Sequence, residues 1–181
     1  MIGWSRFNLY LVLVLGLGLV CGCRTAEGKR KSLLSTLRLH QEVNADASGR
    51  SQQVSVYREH PVAFTVETAP FLTEANVKEA KVVDTVGGFA LRVQFDRQGS
   101  WLLEQYTGAN RGRHLAIFSQ FDNPNEEKLN QGRWLAAPLI HTHITDGLLI
   151  FTPDTSRPEA EQIALGLNNV AQQAQDKEPR W

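Results

Sequence analysis

The sequence predicts an α+β fold: an antiparallel sheet with helices packed on one face, in a single domain behind a distinct N-terminal segment. Three observations predict it. The chain has 181 residues, about one domain's length. Residues 89–95 follow a glycine pair and alternate, with Phe89, Leu91, Val93 and Phe95 on one side and Arg92 and Gln94 on the other, as in a half-buried hairpin strand. Near the C-terminus, Ala160, Ile163, Ala164, Leu167, Val170 and Ala171 fall on one helical stripe. Composition agrees: 42% apolar and 21% charged residues is globular rather than disordered. Lys plus Arg is 19 and Asp plus Glu is 19, so no basic excess points to nucleic acid as the main partner. No period of about 20–50 residues repeats, which excludes a solenoid.

Taken in order, Leu37-Arg38-Leu39-His40 opens an alternating strand, and residues 44–51 are turn-rich. Val54, Val56 and Val62-Ala63-Phe64-Thr65-Val66 continue in extended structure. Pro70 and Thr73 announce a short helix over residues 74–80, with Thr73 as its N-cap. Residues 81–86 and 89–95 make a hairpin whose two-residue turn is Gly87-Gly88. A short helix over 100–106 begins at Ser100 and carries Trp101, Leu102 and Leu103. A strand over 114–118 leads into a polar loop over 120–132. Strands over 134–144 and 148–151 follow, joined near Asp146-Gly147. Ser156 caps the last helix, and Pro158 fits its first turn.

The N-terminus carries a targeting signal. Arg6 precedes an apolar run from Leu9 to Val20, shorter than the roughly 20 residues that cross a bilayer comfortably. Val20-Cys21-Gly22-Cys23 resembles a bacterial lipobox, with Cys23 as the residue that receives the lipid. Residues 1–22 are then a lipoprotein signal peptide and 23–35 a lipidated cysteine with a polar, basic tether containing Lys29, Arg30 and Lys31. Residues 36–175 form the domain, and 176–181 a polar tail. With Cys23 lipidated and Cys21 removed, no thiol remains for a disulfide, a nucleophile or a zinc site. The alternative is an uncleaved membrane anchor. The expected location is the bacterial cell envelope, facing away from the cytoplasm, and the outer membrane in a Gram-negative cell because Arg24 and not Asp follows Cys23.

From Phe71 to Asn169 an ordered set of motifs appears. It starts with Leu72-Thr73-Glu74-Ala75-Asn76-Val77 and runs through Val93-Gln94-Phe95, Thr107-Gly108-Ala109-Asn110-Arg111-Gly112 and His114-Leu115-Ala116-Ile117. Ala137-Pro138-Leu139-Ile140, Ile144-Thr145-Asp146-Gly147 and Ile163-Ala164-Leu165-Gly166-Leu167 complete it. In this order they resemble the periplasmic head of SecD/SecDF-type protein-export membrane proteins. The resemblance implies a SecDF-head-like fold, a habit of contacting extended polypeptide outside the cytoplasm, and a link to protein export. The family's multiple membrane-spanning helices have no counterpart in this sequence, so its proton-coupled motor is not implied. The long loop over 120–132, Phe151 in place of a glycine, and Asn168-Asn169 at the end of the last motif also depart from the pattern.

Chemistry-bearing constellations are sparse. On a strand, His141 and His143 would share a face and could reach one ion, with His114 or Asp146 as a third ligand; surface histidines are the competing reading. No Gly-x-Ser-x-Gly motif is present, and Ser100 reads as a helix cap. Asp122, Glu126 and Glu127 read as solvated loop charge, and Arg111-Gly112-Arg113 is too small a patch for nucleic acid. No cofactor is expected. The expected activity is non-catalytic binding of protein partners or extended polypeptide, by strand addition at an open sheet edge or at Phe121 and Trp134 beside the long loop. The alternative is an envelope metal-binding protein or hydrolase using His141 and His143.

Overall fold

The computed structural model describes residues 33–46, 49–121 and 131–177, all within one compact unit, Lys31–Trp181. The signal peptide, Cys23, the loop carboxylates Asp122, Glu126 and Glu127, and the last residues of the tail lie outside the described residues.

The first half contains β1 (Arg38–Gln41), β2 (Ser51–Val56), β3 (Val62–Glu67), β4 (Leu72–Thr73), a 3-10 turn (Glu74–Asn76), β5 (Val77–Thr85) and β6 (Gly88–Phe95). Then come α1 (Arg97–Ala109), β7 (Leu115–Phe121), β8 (Gln131–Ala136), β9 (Leu148–Phe151) and α2 (Arg157–Lys177). The expected α+β class holds, and the pairings are antiparallel. The strands do not form one sheet, however. They divide into a four-stranded sheet in the order β4-β1-β7-β8, a three-stranded sheet in the order β5-β6-β9, and the β2-β3 hairpin. Alternation along a strand reveals its two faces but not its neighbours, so the partition was invisible locally.

The main core lies among the four-stranded sheet, the three-stranded sheet and the helices. It is built from Leu37, Leu39, Leu91, Phe95, Leu103, Ile117, Leu135, Ile163 and Leu167, with others. Each fully buried Leu or Ile of this kind contributes roughly 2 kcal/mol. The stripe on α2 is as expected at Ala160, Ile163, Ala164, Leu167 and Ala171, which are buried, while Val170 is half-buried. Ser156 precedes this helix, its backbone N–H and hydroxyl both donating to Glu159 Oε2 at 2.8 and 3.1 Å.

Several boundaries differ from the local reading. The helix expected over 74–80 is one 3-10 turn followed by β5, and Thr73 makes no side-chain cap. Val77 and Ala80 are buried and their strand pairs with β6 as far as Phe95, so tertiary pairing overrides a capping signal. The hairpin turn is Val86-Gly87, since Thr85 pairs with Gly88 and Gly87 takes φ 88°. The first helix begins three residues earlier than expected, because Asp96 Oδ1 accepts from the Gly99 N–H at 2.6 Å and makes Asp96 the cap. Ser100 lies inside that helix. The strand expected over 134–144 ends at Ala136.

Two features of α2 lock the sheets together. The Asn168 amide holds both backbone groups of Ala80 on β5: the Ala80 N–H donates to Oδ1 and Nδ2 donates to the Ala80 carbonyl, each at 2.8 Å. On the same helix, Asn169 Nδ2 donates to the Leu33 carbonyl at 2.9 Å. A Cβ at Gly166 would sit 2.7 Å from the Ser35 nitrogen, so only glycine lets that backbone cross the helix. Residues 33–35 therefore pack against α2. Thr36 continues the seam: its N–H donates to the Gln120 carbonyl at 2.8 Å and its carbonyl accepts from Ser119 Oγ at 2.8 Å.

Replacing Asn168 by Leu leaves the Ala80 N–H and carbonyl without their partner. The expected loss is about 1–3 kcal/mol, read as a lower urea midpoint at unchanged slope. Gly147 takes φ 66°, and a Cβ there would lie 1.8 Å from Ser100 Oγ. Gly147→Ala is expected to destabilise by about 2 kcal/mol or more in the same assay.

Candidate functional site

The alternation of β7 governs the first candidate surface. Leu115, Ile117 and Phe121 enter the main core, whereas Ala116 belongs to a second, smaller cluster on the opposite face. Phe121 is 2% exposed, with the Arg133 guanidinium 5.2 Å from its ring centroid. Arg133 is also paired with Glu159 of α2 at 2.9 Å. Trp134 lies half-buried against the second cluster and meets Phe118 edge-on at 5.3 Å. The expected pair of Phe121 and Trp134 is thus split between two faces. Neighbouring positions on a ladder point to opposite sides, and Phe121 pairs with Gln131, outside the reach of Trp134's face.

The β2-β3 hairpin covers the Trp134 face. Val54, Val56 and Val66 are buried with Ala116 and Ala137, and Phe64 and Trp134 pack against them. The hairpin base joins the main sheet through a Glu42–Val66 bridge and the Val43 N–H donating to the Thr65 carbonyl at 2.9 Å. His40 reinforces this join. Its Nδ1 lies 2.8 Å from the Glu67 carbonyl, which makes Nδ1 the protonated nitrogen of the neutral ring, and its ring meets Trp134 at 5.0 Å. Burial holds His40 below its ordinary pKa of 6.5; Arg38 adds to that, and the Glu67 carbonyl opposes it.

His114, one of the suggested third ligands, is committed elsewhere. Glu42 Oε2 accepts from the His114 N–H at 2.6 Å and lies 2.9 Å from its Nδ1, while Phe64 packs on the ring at 4.7 Å. The Tyr106 hydroxyl donates to the His114 carbonyl at 3.3 Å, and burial pushes its pKa up to about 12. Asp146 Oδ1 accepts from the Leu148 N–H at 3.0 Å. His141 and His143 lie beyond the end of β8 on irregular backbone, both exposed, so the shared strand face that would converge them is missing. His143 instead packs on Gly108 and stands 3.8 Å from Glu104. Among the described residues, no group of three or more His, Cys, Asp or Glu side chains is placed to hold a metal ion.

A second candidate surface is a groove beside β9, the edge strand of its sheet. A cavity of about 180 Å³ lies there, lined by Leu139, Ile140, Ile144, Leu149 and Ile150 among others. Leu139 and Ile150 are 38% and 51% exposed. Sequence reasoning expected an open edge without placing it; the short apolar run of β9 beside an irregular segment was the available signal. At the other edge of this sheet, the Asn168 amide occupies the Ala80 backbone groups of β5. Among the described residues, no helix is long and apolar enough to cross a membrane.

These features define an α+β head domain with an apolar edge groove and, among the described residues, no assembled metal centre. A family model described as SecDF, P1 head subdomain, matches residues 50–173, more than half of the chain. The chain belongs to the SecDF P1 head family. The match starts upstream of Phe71 and takes in the β2-β3 hairpin. Among solved structures, a membrane component SecDF that enhances protein export is similar at a TM-score of 0.53 and 21% identity, over 82% of this chain and 70% of that one. SecDF in a super-membrane-facing form is similar at a TM-score of 0.52 and 21% identity, over 82% of this chain and 21% of that one. No match was found among curated proteins.

Between pH about 6.5 and the lower folded value of His40, the unfolded chain binds a proton that the folded chain does not. Stability is therefore retained above that window and falls as the pH drops through it. Denaturant midpoints are expected to decline from about pH 7.5 to about pH 5. In His40→Gln the decline is expected to be shallower; an equal decline would remove His40 as its source.

Proposed function

We propose that this chain is a membrane-tethered, extracytoplasmic and non-catalytic binding domain of the bacterial cell envelope, held by a lipid on Cys23, that contacts extended polypeptide in connection with protein export. The family match over residues 50–173 carries the reading. The similar SecDF structure is of a protein that enhances export, which supplies the process. Two surfaces support polypeptide contact: the β9 edge, where backbone groups and Ile150 are accessible for strand addition, and the β7-β8 sheet around Trp134. Phe121 takes part from within the core, by holding Arg133 in place behind that sheet. In a Gram-negative cell the anchor would be in the outer membrane.

In-cell photocrosslinking tests this reading, with probes at Trp134 and Ile150. Ile150 serves as the second position because a probe at Phe121 would displace a core ring. Capture of translocon components or exported chains is expected, and it is expected to be lost in Cys23→Ser. Background-level capture with the anchor intact would remove polypeptide binding; retained capture in Cys23→Ser would remove the dependence on lipid.

A further inference from the structure

We propose that the β2-β3 hairpin is a hinged lid over the Trp134 face, latched at its tip by Arg58 and Asp154. Its strands form a two-stranded ladder of their own, joined to the main sheet near the base by Glu42–Val66 and Val43–Thr65. Its buried apolar residues, Val54, Val56 and Val66, belong to the small cluster and none to the main core. Lifting the hairpin therefore uncovers Ala116, Ala137 and Trp134 while the packing of the main core stays in place. A unit with few buried contacts of its own is the kind that opens below the global unfolding free energy.

The tip is held by weak, exposed contacts. The Arg58 N–H and Nε donate to Asp154 Oδ2 at 2.8 and 3.3 Å, and Nη2 donates to the Asp154 carbonyl at 3.4 Å. The Arg58 side chain is 58% exposed, so this pair is screened by water and salt. Beside it, Tyr57 sits at φ 71°, a left-handed conformation unfavourable for a bulky residue, and its hydroxyl accepts from the Ala137 N–H at 3.3 Å. A strained residue is retained here because the latch holds it, and release of the latch relieves it. At the other end, the bridge and the His40–Glu67 contact remain as the hinge.

The opening stands on the fold alone. Its consequence, control of access to Trp134, rests on the polypeptide-binding reading above.

Native-state hydrogen exchange on the full-length protein in detergent tests the lid. Amides of β2 and β3 are expected to exchange at least about tenfold faster than those of β6 and α2, with a weaker dependence on added denaturant. Arg58→Ala and Asp154→Ala are each expected to speed hairpin exchange by about fivefold, leaving β6 and α2 unchanged, and Arg58→Lys is expected to fall between. Hydroxyl-radical footprinting of the same samples is expected to show increased modification of Trp134. Hairpin and core amides exchanging together, with one denaturant dependence, would overturn the lid in the wild-type protein whether or not the variants fold. Faster hairpin exchange with unchanged Trp134 modification would overturn its covering role. A confirmed lid without crosslinks from Trp134 would fail only the polypeptide-binding reading.

Discussion

The closing helix α2 binds backbone that is not its own, and the rest of the domain is indexed to it. At Asn168 it satisfies the outward-facing N–H and carbonyl of buried Ala80 on β5, where a neighbouring strand would otherwise be needed. At Gly166 and Asn169 it receives the chain before β1, and at Glu159 it pairs with Arg133 of β8. One element thus joins the three-stranded sheet, the four-stranded sheet and the chain's approach to the first strand. The two asparagines that depart from the expected family pattern are the residues that make two of these joins. Hydrophobic burial of the α2 stripe supplies much of the adhesion, but the amides decide where along the sheet the helix stops. Apolar contact tolerates sliding; a two-point hydrogen bond to the backbone of one residue does not.

Elements whose evidence is contained within their own span were legible in the sequence. The β6 alternation, the short apolar β9 and the stripe of α2 each declare their buried face through local periodicity. The errors arise where a distant partner decides. Residues 74–80 carry a helix-start signal, but pairing with β6 makes most of them strand. Asp96 displaced Ser100 as a cap because both lie at plausible offsets, and only the 2.6 Å contact to Gly99 distinguishes them. At the candidate site, Trp134 was identifiable as an aromatic beside a long loop, but its covering hairpin lies some 70 residues earlier in the chain. Phe121 was grouped with it because sequence proximity hides a parity difference. The β9 edge was foreseen as a type of feature and not as a location.

Histidine chemistry in this domain is used for coupling between elements. His40 ties β1 to β3 through a carbonyl, and His114 ties β7 to Glu42 through a carboxylate. Each ring makes that contact through Nδ1. His143 fills the space left by Gly108 on α1, which gives the helical glycine in the Thr107-Gly108 motif a packing reason. His114, Asp146 and His143, which sequence inspection considers together with His141, are therefore distributed among separate contacts.

The contact between Asn169 and Leu33 spans 136 residues of chain. Its two sides are made 136 residues apart in synthesis, so the seam that seats the first strand cannot close until α2 has emerged. The entropy of closing so long a loop is met only at the end, when α2 arrives. Such an order of assembly makes the approach to the first strand among the last parts of the domain to gain its full set of contacts.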